Sequence, residues 1–212
     1  MLEHLLTLCS LLPFYLLGAF PTGQIVASRW GVDLAAAGSG NVGATNAARV
    51  LGKNAGLVVL AGDIAKGAAG VGLAGAISSP GWYPALAAVA VTAGHCFSLP
   101  GRLRGGKGVA TGLGASLVLT PLPALLAAAS FAGVFGIFRI TSLASVSAAL
   151  LLPLYGLVLN EGDPAVTGLA LMTALILFRH RANLARLAEG REARFTPAGR
   201  SAGEKRPDTS RR

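Results

Sequence analysis

Apolar and polar positions divide the chain into seven apolar segments, at roughly 5–27, 55–77, 82–98, 108–120, 121–138, 141–159 and 164–178. A straight helix needs about 20 residues to cross a bilayer. The pattern therefore predicts an all-α polytopic membrane protein of about seven transmembrane helices, with 108–120 and 164–178 short for a crossing. Pro121 and Pro123 interrupt the 108–138 stretch, which predicts two helices joined by a tight turn rather than one long helix.

The gaps between segments carry charge unevenly. Arg29, Arg49 and Lys53 lie in the first gap, Arg102, Arg104 and Lys107 in the third, and Arg139 in the fifth. The alternate gaps hold no Lys or Arg: Ser78–Gly81 is uncharged, and Asn160–Asp163 holds Glu161 and Asp163. Excess Lys and Arg marks cytoplasmic loops, so the N-terminus is expected outside and the C-terminus in the cytoplasm, across a bacterial inner membrane. Met1–Phe20 has no early Lys or Arg and reads as a retained first span, not a cleaved signal. Residues 1–193 are expected to form one membrane domain, and 194–212 a disordered basic tail.

Composition agrees with a bilayer. Only 13% of residues are charged and 53% are hydrophobic, where a soluble domain carries about 25% charged residues. The +9 net charge does not indicate nucleic acid, because ten of the eighteen basic residues follow Phe178 without interleaved base-stacking aromatics. Cys9 and Cys96 have neither metal-site nor disulfide-framework spacing, so no metal and no cofactor is expected.

With that topology the polar segments share one face. Residues 38–46, GSGNVGATN, are small and polar between two apolar runs, a composition that lets backbone N–H groups close around an anion. The stretch GHCFSLPGRLRGGKGVAT ends in Gly105-Gly106-Lys107-Gly108 at the start of an apolar helix, where amides and an ammonium could hold phosphate. Its spacing imitates a Walker A loop, but Gly108 replaces the Ser/Thr and no strand precedes it, which disfavours nucleotide hydrolysis. Arg102 and Arg104 read equally as topological anchors. The third stretch, RHRANLARLAEGRE, puts His180, Asn183 and Leu184 at i, i+3 and i+4. Asp63 and Lys66, also at i, i+3, are ionisable groups within a span and are expected to pair.

These three stretches, with GDIAKG and TSLAS in support, resemble the bacterial membrane acyl-phosphate:glycerol-3-phosphate acyltransferase (PlsY) family from about Gly18 to Glu192. Ser98 stands where the family usually has proline. The resemblance implies acyl transfer from acyl phosphate to the 1-hydroxyl of glycerol 3-phosphate, the first acylation of phospholipid synthesis. It implies catalytic roles for Ser39, Lys107, His180 and Asn183, and substrate binding by Asn41, Thr45, Arg49, His95, Gly106, Gly108 and Ser142. Acyl phosphate, glycerol 3-phosphate and membrane lipid are the expected partners, with no obligate protein partner. The competing reading, a polytopic transporter of a phosphorylated solute, requires polar residues on a path reaching both faces.

Overall fold

The structure, a computed structural model, describes residues 8–78, 81–98 and 105–196. Every one of the seven apolar segments folds as helix. The first is α1 (Leu12–Ala19) and α2 (Thr22–Ser28), interrupted at Phe20-Pro21 within a candidate span of Leu8–Ser28. A short helix, α3 (Ala44–Leu51), follows the small-residue stretch and leads through Gly52 into α4 (Lys53–Ile77). Next come α5 (Trp82–Phe97), α6 (Val109–Leu119) and α7 (Pro121–Phe138). Pro121 opens α7 at the position where its missing N–H costs nothing, so the expected break between α6 and α7 is present. The last are α8 (Thr141–Val158), α9 (Asp163–Arg179) and α10 (Arg181–Ala188), with α9 and α10 meeting at 64°. Among the described residues four helices are long and apolar enough to cross a membrane, or five counting the bent α9–α10 pair. At 16 residues α5, and at 11 residues α6, are shorter than a straight crossing requires.

Helix α4 lies at the centre, against α3, α5 and α6; α5 also packs on α1 and α9, and α8 joins α7 to α9. The buried centre, with Val71, Ala88, Val91, Ala115, Ala127, Leu152, Leu169 and Met172, is rich in small side chains. Large apolar residues point outward instead, Ile77 at 69%, Ile137 at 76% and Val158 at 77% exposed. That inversion suits a lipid surround, where close backbone approach rather than expulsion of water holds helices together. The crossing of α4 and α6 shows the approach: a Cβ on Gly67 would lie 2.0 Å from the Thr111 carbonyl oxygen, and one on Gly114 2.0 Å from that of Ile64. The chain is an integral, multi-pass membrane protein.

Candidate active site

The small-residue stretch is folded around one side chain. Asn46, 1% exposed, accepts the Ser39 N–H at Oδ1 (2.9 Å) and donates through Nδ2 to the carbonyls of Asn41 (2.8 Å), Ala37 (2.9 Å) and Leu34 (3.2 Å). With the loop so pinned, the backbone N–H groups of residues 41–45 find no acceptor among the described residues and remain available. Ser39 is exposed, Asn41 half-buried, and Thr45 lies half-buried in the first turn of α3. Arg49, at the end of α3, places its guanidinium 5.8 Å from the Phe195 ring centroid.

A second polar centre supports the GGKG segment from below. Asp63 and Lys66 pair at 2.9 Å as expected, and Lys66 also donates to the Phe20 carbonyl. His95 Nδ1 stands 3.6 Å from Asp63 Oδ1. The ring's other edge packs on Gly106, where a Cβ would meet Nε2 at 2.1 Å, so no side chain fits at that position. Val42, His95, Gly105 and Gly106 line one cavity with Asp63 and Lys66, which brings the first and second stretches together. At about 20 Å³ the cavity holds one water-sized molecule and is a support, not a substrate pocket. The Gly106 N–H donates to the His95 carbonyl (2.9 Å), so it is not among the amides left for an anion. Those are Lys107, Gly108 and the first turn of α6, which Gly108 opens in the left-handed region at φ 83°.

Arg179, which sequence reasoning counted only as a positive charge after a span, clamps this segment. Its Nε donates to the Gly106 carbonyl (2.9 Å) and its Nη2 to the Gly105 carbonyl (2.8 Å), while the guanidinium lies 5.9 Å from the Phe97 ring centroid. The adjoining Ser98 sits at φ 54°, a conformation closed to proline. Arg102 and Arg104 lie outside the described residues.

The second and third stretches meet at Lys107. Its Nζ donates to Asn183 Oδ1 (2.7 Å), and Asn183 Nδ2 donates to Glu192 Oε1 (2.5 Å). Ser142, second residue of α8, donates to the same Oε1 (2.7 Å), and Arg186 Nε reaches Oε2 (2.6 Å). Glu192 is thus the hub that sequence reasoning missed; the available signal was one carboxylate closing a basic segment nine residues after Asn183. Burial alone raises the Glu192 pKa, but the hydrogen bonds from Ser142, Arg186 and Asn183 outweigh it and hold the group below its ordinary value. Burial draws the Lys107 ammonium down to about 8, opposed by Glu192 and assisted by Arg186, Arg179 and Arg49.

His180 occupies the break between α9 and α10, 2% exposed. Its Nδ1 lies 2.8 Å from the Ile176 carbonyl, which can only accept, so Nδ1 carries the proton and Nε2 is left as an acceptor. Burial lowers its pKa to about 4, against that backbone hydrogen bond, and the ring is neutral at pH 7. The bend separates the expected helical face: Asn183 is buried at 6% while Leu184 is 38% exposed. Among the described residues no three His, Cys, Asp or Glu side chains gather as metal ligands.

The site therefore draws its polar groups from three distant stretches of one chain. Residues 8–190 match the family described as glycerol-3-phosphate acyltransferase. The Rubrobacter xylanophilus glycerol-3-phosphate acyltransferase is 40% identical, over 96% of this chain and 99% of its own. That of Geobacter sulfurreducens is 41% identical, over 85% and 93% respectively. Crystal structures of PlsY, an integral membrane glycerol 3-phosphate acyltransferase, superpose with TM-scores of 0.84 (glycerol 3-phosphate form) and 0.82 (lysophosphatidic acid form). Both are 36% identical and cover 90% of this chain, and the match takes in 96% and 95% of theirs. By sequence and by fold, this chain belongs to the glycerol-3-phosphate acyltransferase family.

Proposed function

We propose that this chain is an enzyme of the bacterial inner membrane that moves an acyl group from acyl phosphate to the 1-hydroxyl of glycerol 3-phosphate. The products are lysophosphatidic acid and inorganic phosphate. The glycerol 3-phosphate and lysophosphatidic acid forms of the solved relatives support the acceptor and the product. One observation carries the reading: Lys107 opens a run of amides at the start of α6 that lack an acceptor among the described residues, its ammonium is held by Asn183 from the third stretch, and both substrates are phosphate anions. The family match supports a transferase over the transporter reading.

In this reading Ser39, Asn41, Thr45 and the amides of Lys107 and Gly108 hold the acyl phosphate. Arg49, Ser142, His180 and Asn183 hold glycerol 3-phosphate, Lys107 touches both, and His95 with Gly106 shapes the floor. The glycerol hydroxyl oxygen attacks the acyl carbonyl carbon, a carbon–oxygen bond forms, and the bond to the phosphate oxygen breaks. His180 Nε2 accepts the hydroxyl hydrogen bond and orients it. The proton ends on the departing phosphate, which accepts it as the carbon–oxygen bond breaks. A mixed anhydride already carries a good leaving group, so no acyl-enzyme is needed, and the rate comes from positioning and stabilisation of the developing oxyanion.

Seven crossings with the N-terminus outside put every motif at the cytoplasmic face, where glycerol 3-phosphate is dissolved; the charge of the gaps supports that arrangement. The experiment is to incubate purified protein with palmitoyl phosphate and glycerol 3-phosphate and measure phosphate release. No release in any lipid mixture would overturn the enzyme reading. Comparable turnover with acyl-coenzyme A and no acyl phosphate would overturn the choice of donor.

A further inference from the structure

A second cleft opens where α2 ends and α4 begins, beside Leu51 at the end of α3. It measures about 300 Å³, and Val26, Arg29, Trp30, Asn54 and Val58 are among its lining residues. None of these belongs to the acyl-transfer site. We propose that this cleft seats an anionic phospholipid of the surrounding bilayer, with the head-group phosphate at Arg29, Lys53 and Asn54 and an acyl chain along Val26 and Val58.

The position selects the occupant. The two candidate spans Leu8–Ser28 and Lys53–Ile77 both end at this cleft, so its mouth lies at the boundary between hydrocarbon and head groups. Along α2 the lining passes from Val26 to Arg29 and Trp30, and along α4 from Val58 back to Asn54; each runs from apolar to polar toward the end of its span. An amphiphile has that same gradient. Trp30, 56% exposed, is the side chain that prefers this depth, with an apolar body and a wet edge.

The charges point the same way. The side chains of Arg29, Lys53 and Asn54 make no hydrogen bond or ion pair among the described residues. Asp33, the carboxylate next in sequence, turns Oδ1 to the Ala35 N–H at 2.8 Å. Lys53 is the first residue of the 25-residue helix α4, where the helix dipole disfavours a cation. An anion placed there relieves both the dipole and the unpaired ammonium. Basic residues around a polar-edged cleft are the chemistry that holds phospholipid head groups.

The chain has two tryptophans, so Trp82→Phe leaves Trp30 as the only one. This variant, in vesicles of phosphatidylcholine carrying rising amounts of chain-brominated phosphatidylglycerol or chain-brominated phosphatidylcholine, reads lipid contact as loss of tryptophan emission. The expected result is half-maximal quenching at a mole fraction at least about threefold lower for the anionic lipid. Adding Arg29→Gln and Lys53→Gln should bring the two curves together while phosphate release stays within about twofold of the parent, which shows the fold intact. Equal quenching by both lipids in the Trp82→Phe protein would overturn the proposal. So would a preference that survives in the charge-depleted protein.

Discussion

Lys107 and Asn183, 76 residues apart in sequence, are joined by a hydrogen bond of 2.7 Å from Nζ to Oδ1. The bond fixes the ammonium at the start of α6 and also fixes which way the Asn183 amide faces, leaving its NH2 for Glu192. The two side chains therefore act as one unit. Lys107→Ala should lower turnover about 100–1,000-fold, the usual loss for one preorganised electrostatic donor. Lys107→Arg should restore it only in part, since a planar fork does not replace a compact ammonium. The double variant with Asn183→Ala should lose little more than Lys107→Ala alone, so the cycle is strongly non-additive. Independent, multiplying losses would refute the coupling.

Alkaline pH should weaken the free enzyme early. Lys107 binds an anion only when protonated, and its pKa is lowered to about 8 rather than raised. As pH rises through that value the cation is lost, so kcat/KM should fall about tenfold per unit above pH 8. An unperturbed lysine would hold its charge for two more units. The profile of kcat/KM against pH from 6 to 10 checks this, and a plateau through pH 9 would contradict it.

The Arg179 clamp predicts a positioning defect distinct from unfolding. Arg179→Lys keeps the charge but cannot reach the carbonyls of both Gly105 and Gly106, so the GGKG backbone should drift. About 10–100-fold should be lost from kcat/KM, as expected for displacement of catalytic groups by around 1 Å. Thermal unfolding in detergent should stay within a few degrees of the parent. A large drop in Tm with unchanged kcat/KM for the remaining folded protein would assign Arg179 to stability alone.

Glu192→Gln removes the charge at the hub while keeping its shape. The carboxamide offers one acceptor oxygen in place of two, so at least one hydrogen bond from Ser142, Asn183 or Arg186 is lost and the others lose their charge assistance, a cost of about 1–3 kcal/mol. Glu189→Gln serves as the control, because Glu189 is exposed and among the described residues pairs only with Arg191. Glu192→Gln should lower both Tm and turnover, and Glu189→Gln neither. Equal behaviour of the two variants would remove Glu192 from the site.

Orientation is tested by impermeant thiol labelling of intact cells. In a Cys9→Ser background, with Cys96 buried, a cysteine placed at Gly162 should react and one at Ser201 should not. The reverse pattern would move the motifs to the other face of the membrane.

What the sequence made legible was local. Pro121 dictates a helix start from its own ring, and Asp63 with Lys66 meets across one helical turn, so both were readable. The composition of GSGNVGATN pointed to a loop of exposed amides, but not to Asn46 as its organiser, because the carbonyls it holds lie 5, 9 and 12 residues away. Arg179 and Glu192 were hidden for a stronger reason. Their partners at Gly105, Gly106 and Ser142 are brought near only by the packing of α5, α8 and α9, which no residue pattern in one segment encodes. Gly106 shows the converse, a residue expected to offer its amide whose N–H the fold commits to His95.

The hub at Glu192 also sets when the enzyme comes into being. Synthesis runs from the N-terminus, and domains generally fold in that order. Ser39, His95, Lys107 and Ser142 all leave the ribosome before the carboxylate that fastens Asn183 and Ser142. A nascent chain stalled between residues 183 and 192 has its lysine and Asn183, yet the Asn183 NH2 and the Ser142 hydroxyl lack the carboxylate that joins them. Completion of the site thus waits for one carboxylate, and a chain that stops short of it should turn over more slowly than one that includes it.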